Sequence, residues 1–283
     1  MAETTEKTLP KFIDTHIHLD YIMDRLERPL SELPSLFDTH FKTTPLVKGK
    51  VVELSGAWEG CVHITCDPAT FNAAKEVIKH EGIYVGAGVH PHHAKDYSDE
   101  VEEKLKELHK NEKVVAWGEM GLDYHYNQSP PDVQRDVFAR QLKMAISIGK
   151  PMIIHTREAE EDTLRIMKEI VPVDWKIHIH CFTSSLTFAQ QLMAHFTNLV
   201  FGFTGVITFG NAQDVQNVVQ NVPIERMILE TDGPYLAPAP FRGMVATSGM
   251  IPKIADKIAS LKGVPVEDVY LHARKNTTKI YSI

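Results

Sequence analysis

The chain has 283 residues, 43% of them hydrophobic and 24% charged, which is an ordinary globular composition. Its formal net charge of −7 gives no sign of the broad basic surface found on proteins that cover long stretches of nucleic acid. The first ten residues are polar and no run of 18 apolar residues occurs, so we expect no secretory signal, no membrane span, and a cytoplasmic or nuclear location.

Short β-rich runs alternate with amphipathic stretches through most of the chain. Such alternation predicts a parallel sheet with crossover helices, and eight units favour a closed (β/α)8 TIM barrel, a single domain over residues 1–283. No G-x-G-x-x-G follows a strand, which weighs against a dinucleotide-binding fold. The predicted strands are Phe12–Asp14, Gly60–Thr65, Ile83–Gly88, Val114–Gly118, Pro151–His155, Lys176–His180, Leu199–Phe203 and Arg226–Glu230.

Helical periodicity is clearest over Pro68–His80 and Pro131–Gly149, and Thr247–Ile283 is interpreted as two helices that separate near Gly263 and Pro265. The segment Tyr21–Glu59 interrupts the alternation of strands and helices, because it is longer than an ordinary crossover and contains three prolines. We interpret it as an elaborated surface segment after strand one that helps to shape the rim of the site.

Strand one ends in the sequence FIDTHIHLD, which contains a His-x-His pair. Residues two apart on a strand share a face, so His16 and His18 point the same way and could both bind one metal ion. A motif this short is by itself also typical of two packed or solvated histidines.

Other strand ends carry further side chains that can bind metal ions. Glu119 follows strand four, His155 and His180 end strands five and six, and Asp232 follows strand eight. The carboxyl ends of barrel strands are where enzymes of this fold place their active sites, and so many polar groups are costly to bury without partners. Four histidines and two carboxylates exceed the needs of one catalytic zinc and suit two divalent ions that activate water for hydrolysis.

The three cysteines, Cys61, Cys66 and Cys181, form no C-x-x-C pair. We therefore expect reduced and mostly buried thiols rather than a disulfide framework or a zinc ribbon.

Six segments resemble, in order and spacing, the successive motifs of the TatD family of metal-dependent deoxyribonucleases, in the amidohydrolase-type barrel superfamily. They are FIDTHIHLD, GVHPHHA, GEMGLDYHY, KPMIIHTREAEEDTL, IHCFTSS and LETDGPYLAP, and they extend from Phe12 to Pro238. The resemblance implies a nuclease that hydrolyses phosphodiester bonds of DNA from an end, and it leaves open whether RNA is also a substrate. It also implies two divalent ions, which could be Mg, Mn or Zn.

The resemblance also implies residue roles. His16, His18 and Asp232 would bind one metal and His155 and His180 the second, with Glu119 as the bridge. Asp232 and Glu119 would be the catalytic carboxylates, with Asp232 accepting a proton from the attacking water. His90 and Arg157 match substrate-phosphate contacts.

Several neighbouring residues keep a second interpretation. Arg157 could instead form a salt bridge with Glu158, Glu160 or Asp162, and His178 is interpreted as packed beneath His180. We interpret His92 and His93 as loop residues, and the stretch Asp123–His125 as shaping and orienting the loop after Glu119 and supporting the metal ligands from behind.

The chain departs from the family pattern after strand eight, where FRGMVATSGMIP stands in place of an Arg-Asn-Glu-Pro stretch. Only Arg242 matches, as the arginine of that stretch. How the segment after strand eight would contact the substrate therefore stays open.

Two other functions compete with the nuclease. A small-molecule amidase or lactonase could use the same barrel, although Glu119 occupies the bridging position that many such enzymes fill with a lysine. A catalytically silent scaffold is disfavoured, because all six candidate ligands are present. For the nuclease we expect only a few nucleotides to be bound, and we infer no membrane association and no obligate protein partner.

Overall fold

Eight parallel strands form the centre of the protein, whose computed structural model describes residues 9–43, 55–126 and 128–283. Each strand pairs with the next in chain order, and a bridge between Ile17 and Gly233 brings the two ends of the sheet together. The predicted (β/α)8 barrel is confirmed. The strands are β1 Lys11–Ile17, β2 Ala57–Thr65, β3 Ile83–Ala87, β4 Val114–Asp123, β5 Met152–Arg157, β6 Ile177–Ile179, β7 Leu199–Phe203 and β8 Met227–Leu229.

Helices follow the strands and pack around the sheet, and the two predicted C-terminal helices are both present. Within the described part of the chain, no helix combines the length and apolar character needed to cross a membrane. The helices are α1 Leu19–Arg25, α2 Leu33–Leu36, α3 Phe71–Val77, α4 Asp99–Leu108, α5 Pro131–Ser147, α6 Glu160–Ile170, α7 Leu186–His195, α8 Gln213–Asn221, α9 Ile251–Lys262 and α10 Val266–Tyr281.

Two predicted boundaries were wrong in ways that affect the site. β4 does not stop at Gly118 but continues to Asp123, because a register irregularity between Trp117 and Met120 lets it keep pairing with β5. Glu119 therefore lies inside a strand. The predicted helix Pro68–His80 is a single 3-10 turn followed by the shorter α3, and the Asp67 side chain caps the turn by accepting from the Ala69 N–H.

The segment after β1 is more than the predicted surface elaboration. In its described part, α1, α2 and a π-helical turn over Phe37–Phe41 bury apolar side chains, including Leu36 and Phe41, in the main core. Residues 57–59 belong to β2. Residues 44–54 of the predicted segment lie outside the described residues, so a role in shaping the rim stays a prediction.

The buried apolar side chains form two main clusters and a small third one, which consists of Ala237, Phe241, Ala246 and Met250. Most buried side chains lie in one large cluster where the helices meet the sheet, while Val62, Val115, Ile153, Val200 and Ile228 belong to a separate cluster of strand residues. The last turn of α10 adds Ile280 and Tyr281 to this second cluster. Ser282, next to Tyr281, contacts the Nζ of Lys176, which precedes β6. The end of α10 therefore lies near the start of β6, opposite the strand ends that carry the candidate ligands.

Candidate metal centre

The first candidate ligands come from the two strands that close the barrel. His16 lies in β1, His18 directly follows that strand, and Asp232 follows β8. Backbone hydrogen bonds join the two segments, from the Asp232 N–H to the His16 carbonyl at 2.9 Å and from the His18 N–H to the Gly233 carbonyl at 2.8 Å. The Oδ1 atom of Asp232 consequently lies 3.5 Å from His18 Nε2 and 3.8 Å from His16 Nε2.

Glu119 lies at the centre of the cluster. Its Oε1 is 2.9 Å from His155 Nδ1, 3.5 Å from His90 Nε2 and 3.8 Å from His180 Nε2. Its Oε2 is 3.3 Å from His16 Nε2. One buried carboxylate thus reaches histidines that follow or belong to four different strands, which is the position that a bridging ligand requires.

His180 stands between the two carboxylates that the sequence identified. Its Nε2 is 3.8 Å from Glu119 Oε1 and also 3.8 Å from Asp232 Oδ1. On the other side of the ring, Nδ1 is 3.1 Å from Oε1 of Glu230, a fully buried residue that directly follows β8. His180 can therefore face a metal with one nitrogen while the other contacts a supporting carboxylate.

The hydrogen-bond partners identify which nitrogen of each ring is free. His18 Nδ1 lies 3.2 Å from the Ile64 carbonyl, and His155 Nε2 lies 3.2 Å from Asp123 Oδ2. Both partners only accept, so these nitrogens can keep a proton as donors when the opposite nitrogen of each ring binds a metal. The lone pairs of His18 Nε2 and His155 Nδ1 then point to Asp232 and Glu119, as metal ligands require.

The carboxylates of the cluster raise the pKa of two of its histidines. Burial would lower the pKa of His180, but Glu230, Glu119 and Asp232 raise it to about 10. Burial likewise opposes the raised pKa of His155, which Asp123 and Glu119 cause. Burial would raise the pKa of Glu119, yet the surrounding imidazoles hold it well below its usual range. A divalent cation bound at this surplus of negative charge would displace protons.

His16 provides a direct test of whether the residues fit a metal. The side chain is fully buried, and burial lowers its pKa to about 4, so the ring is neutral at pH 7. Among the residues that the structure describes, neither of its ring nitrogens has a hydrogen-bond partner. A buried imidazole without a hydrogen bond is unfavourable unless a cation takes the lone pair, so the donor set fits a divalent metal.

Unlike the candidate ligands, His90 presents a hydrogen-bond donor rather than a lone pair to the cluster. Its Nδ1 accepts a hydrogen bond from the His92 N–H at 3.1 Å, and burial lowers its pKa to about 4. A neutral ring with an occupied Nδ1 carries its proton on Nε2, which makes Nε2 a donor rather than a metal ligand. His90 therefore lies among the ligands, near Glu119 and His155, with a donor available for an anionic oxygen.

Arg157 is not held by the carboxylates that the sequence offered. Its guanidinium lies over the ring of Tyr126, 4.8 Å from the centroid, and no ion pair of Arg157 occurs among the residues described. Glu158 instead contacts His125, and Glu160 accepts from Ser185. Asp162 is bonded to Tyr124 and Arg165. The positive charge of Arg157 thus remains available at the rim.

All eight residues that the sequence singled out lie around this cluster, but their grouping differs from the one the resemblance implies. The potential ligand atoms fall into sets that join His16, His18 and Asp232, and His90, Glu119 and His155. His180 groups with His16 and Glu230, or with Cys181 and Asp232, rather than with His155. Its position between Glu119 and Asp232 lets it serve either set.

Sequence reasoning missed Glu230 and underestimated His92. Glu230 could have been noticed as a carboxylate two positions before Asp232, at the last step of an apolar strand. Asp123 contacts the candidate ligand His155, in agreement with the supporting role predicted for it, and its Oδ2 also lies 2.9 Å from Nε2 of His92, which was interpreted as a loop residue. Arg242, the uncertain match after strand eight, lies over the Phe209 ring, 3.6 Å from its centroid. The three cysteines are free thiols, as expected.

Gly202 of β7 leaves the space that the Glu230 carboxylate occupies. A Cβ at this position would lie 2.3 Å from Glu230 Cδ. We expect Gly202→Ala to lower the free energy of unfolding of the metal-free protein by about 1–3 kcal/mol, measured by urea denaturation. Gly210→Ala is the matched control, since a Cβ there meets nothing within 4 Å. Equal stability of the two variants would contradict the steric role of Gly202.

The chain is similar in sequence and fold to known proteins. The family profile described as "TatD related DNase" matches residues 13–282. The human protein named 3'-5' RNA nuclease TATDN2 is 36% identical over 280 residues, covering 96% of this chain but 35% of that protein. The chain thus spans about a third of that relative's length.

Two further proteins extend the comparison. The uncharacterized metal-dependent hydrolase YabD of Bacillus subtilis is 38% identical over 226 residues, covering 80% of this chain and 88% of that protein. The crystal structure of YJJV, a TatD homolog from Escherichia coli K12, superimposes with a TM-score of 0.79 at 22% identity, covering 96% of this chain and 98% of that one. With a family profile that matches nearly its whole length, the chain belongs to the TatD related DNase family.

Proposed function

We propose that this protein is a metal-dependent nuclease that hydrolyses phosphodiester bonds at the end of a nucleic acid strand. The observation that carries the proposal is the convergence of four candidate histidine ligands on the two candidate carboxylates, Glu119 and Asp232, at the carboxyl end of a closed barrel. Such a donor set suits hydrolysis, and the family to which the chain belongs is described by its nuclease activity.

The proposed ligands divide between two divalent ions. His16, His18 and Asp232 would hold one ion, His155 and His180 the other, and Glu119 would bridge them. When bound, the ions would polarise the phosphoryl oxygen and make water a stronger nucleophile. Histidine and carboxylate ligands accept Zn, Mn or Mg, so availability decides the native metal as much as affinity does.

The protein's own groups complete the reaction. The Asp232 carboxylate is partly exposed, with 15% of its side chain accessible, and would accept the proton that the attacking water loses. The Nε2–H of His90 and the guanidinium of Arg157 would donate to the non-bridging oxygens of the phosphate. Tyr126, whose ring lies beneath Arg157, would hold the guanidinium at the rim.

The proposed substrate is a nucleic acid of which only a few nucleotides are bound. A cavity of about 500 Å³ lies beside Arg157 and is lined also by Thr183, Ser184, Asn217 and the carboxylates Glu158, Glu160 and Asp214, but by none of the candidate metal ligands. It therefore adjoins the proposed phosphate contact rather than the ligand cluster. The relatives bear names of a 3'-5' RNA nuclease and a 3'-5' ssDNA/RNA exonuclease, so both DNA and RNA are to be tested. Since few phosphates are neutralised, we expect a shallow dependence of binding on salt. The cytoplasmic or nuclear location stays a prediction.

The proposal is tested by incubating the protein with Mg²⁺, Mn²⁺ or Zn²⁺ and end-labelled single-stranded DNA, duplex DNA and RNA. Progressive shortening from one end that EDTA abolishes and excess metal restores is the expected result. No cleavage of any nucleic acid, together with turnover of model lactones or amides, would replace the nuclease with the small-molecule hydrolase.

Arg157→Ala tests the phosphate contact. We expect KM to rise about tenfold or more, since a charge-assisted hydrogen bond contributes about 1.5–3 kcal/mol, while metal binding stays unchanged. Arg165→Ala is the matched control, because Arg165 is exposed and pairs with Asp162 and Glu169 on α6. If both variants showed the wild-type KM, Arg157 would not bind substrate.

A further inference from the structure

A line of buried polar contacts runs from the C-terminal helix to the candidate ligand His180. The hydroxyl of Tyr281, in the last turn of α10, lies 2.6 Å from Nδ1 of His178, a residue 103 positions away. His178 Nε2 lies 2.8 Å from Glu230 Oε2, and the other oxygen of Glu230 lies 3.1 Å from His180 Nδ1. The two imidazole contacts to Glu230 have hydrogen-bonding lengths but bent geometry.

All four side chains are removed from solvent. Their exposed fractions are 3% for Tyr281, 0% for His178 and Glu230, and 4% for His180. Burying polar groups this deeply costs free energy unless they contact one another, so the contacts along the line stabilise the buried arrangement. Glu230 is held further by the backbone N–H of Cys181, which donates to its Oε1 at 2.5 Å.

The hydrogen-bonding capacity of each group determines which atoms along the line donate. A carboxylate can only accept, so Glu230 requires a proton on His178 Nε2 and on His180 Nδ1. A neutral His178 then has a bare Nδ1, which the Tyr281 hydroxyl fills by donating. Burial and the nearby Glu230 charge raise the pKa of Tyr281 well above its usual value, so the hydroxyl keeps its proton.

We propose that Tyr281 and His178 are positioning residues that act through Glu230 to fix the tautomer and orientation of the metal ligand His180. With Nδ1 of His180 held toward Glu230, Nε2 faces Glu119 and Asp232, and its lone pair would bind a metal there once the metal displaces the proton. The end of α10 would thereby influence metal affinity from the opposite end of the barrel. The inference rests on the proposed metal ligands but not on the identity of the substrate.

Tyr281→Phe is the decisive variant, because it deletes one hydroxyl and keeps the ring. We expect Mn²⁺ and Co²⁺ to bind about tenfold or more weakly, measured by titration calorimetry. The visible absorption spectrum of the Co²⁺-loaded protein should change as well, since the orientation of a ligand changes. Tyr270→Phe is the matched control, as Tyr270 is a buried tyrosine on the same helix whose hydroxyl contacts Ser55 instead.

His178 offers a second, graded measurement. His178→Leu removes the donor to Glu230 and should weaken metal binding at least as much as Tyr281→Phe. His178→Gln restores an N–H donor and should recover part of the affinity. Thermal melting in EDTA shows that each variant is folded before metal is added.

The proposal is overturned if folded Tyr281→Phe and His178→Leu bind Mn²⁺ and Co²⁺ as the wild type does, with the same Co²⁺ spectrum. If both variants melted at a lower temperature than the wild type but bound metal with unchanged affinity, the line would stabilise the fold without positioning His180, and the proposal would also be wrong. Metal binding by a wild type that cleaves no nucleic acid would refute the proposed function alone. A wild type that binds no metal would refute the ligand set.

Discussion

Replacing Glu119 by glutamine should nearly abolish activity, with a fall in kcat/KM of at least about 10³-fold. The physical reason is its central position, since its two oxygens lie within 4 Å of four different histidines. An amide keeps the shape but loses the negative charge, so two nearby cations would repel each other without compensation. The activity should be measured on the substrate found by the end-labelled assay.

The same variant should lose its stabilisation by metal. A ligand that binds only the folded state at 100 times its Kd stabilises a protein by about 2.7 kcal/mol, so the wild type should melt at a clearly higher temperature with Mn²⁺ than with EDTA. Glu119→Gln should show little of this difference. Glu102→Gln is the control, because Glu102 is also buried but pairs with Arg140 and Lys106 outside the site. Full activity of Glu119→Gln would exclude a bridging carboxylate.

Replacing Asp232 by asparagine should lower kcat by about 10²–10⁴-fold, the usual contribution of a general base. Asparagine retains an oxygen at the Oδ1 position, 3.5 Å from His18 Nε2, so the loss of metal affinity should be smaller than the loss of kcat. KM should change little, because Asp232 does not donate to the phosphate.

Stopped assays at saturating Mn²⁺ separate these effects, since excess metal compensates for weaker binding but not for a missing proton acceptor. Asp256→Asn is the control, as Asp256 lies on α9 and contacts Lys253 and Ser55. If saturating metal restored the wild-type kcat to Asp232→Asn, Asp232 would be a ligand only.

The amino-acid sequence by itself determined the barrel and most of the candidate site. Eight alternating units implied a closed parallel sheet, and Leu199–Phe203 was predicted to the residue. The His16 and His18 pair was weak evidence alone, but its position at a strand end agreed with those of His155 and Asp232. The barrel is confirmed and the candidate ligands lie close together, because strand periodicity and the polarity of parallel strands are local properties that the sequence displays directly. That these residues bind metal stays a prediction.

Only the tertiary structure decided how those residues act on one another. The prolonged β4, which carries Glu119 to the centre, depends on a pairing irregularity with β5 that no local pattern records. Which nitrogen of His18, His90 or His155 is free depends on acceptors and donors supplied by neighbouring loops and strands. Three nearby carboxylates could have neutralised Arg157, and the fold gave each of them another partner.

The line from Tyr281 to His180 shows most clearly what the sequence alone could not predict. The sequence predicted that His178 packs beneath His180. It gave no sign of a role for Tyr281, which lies at the end of an ordinary amphipathic helix. Their contact joins residues 103 positions apart and exists only because the barrel closes and α10 returns to the start of β6. Local propensity determines which side chains a strand end presents, but the register and closure of the whole sheet determine which of them share a proton.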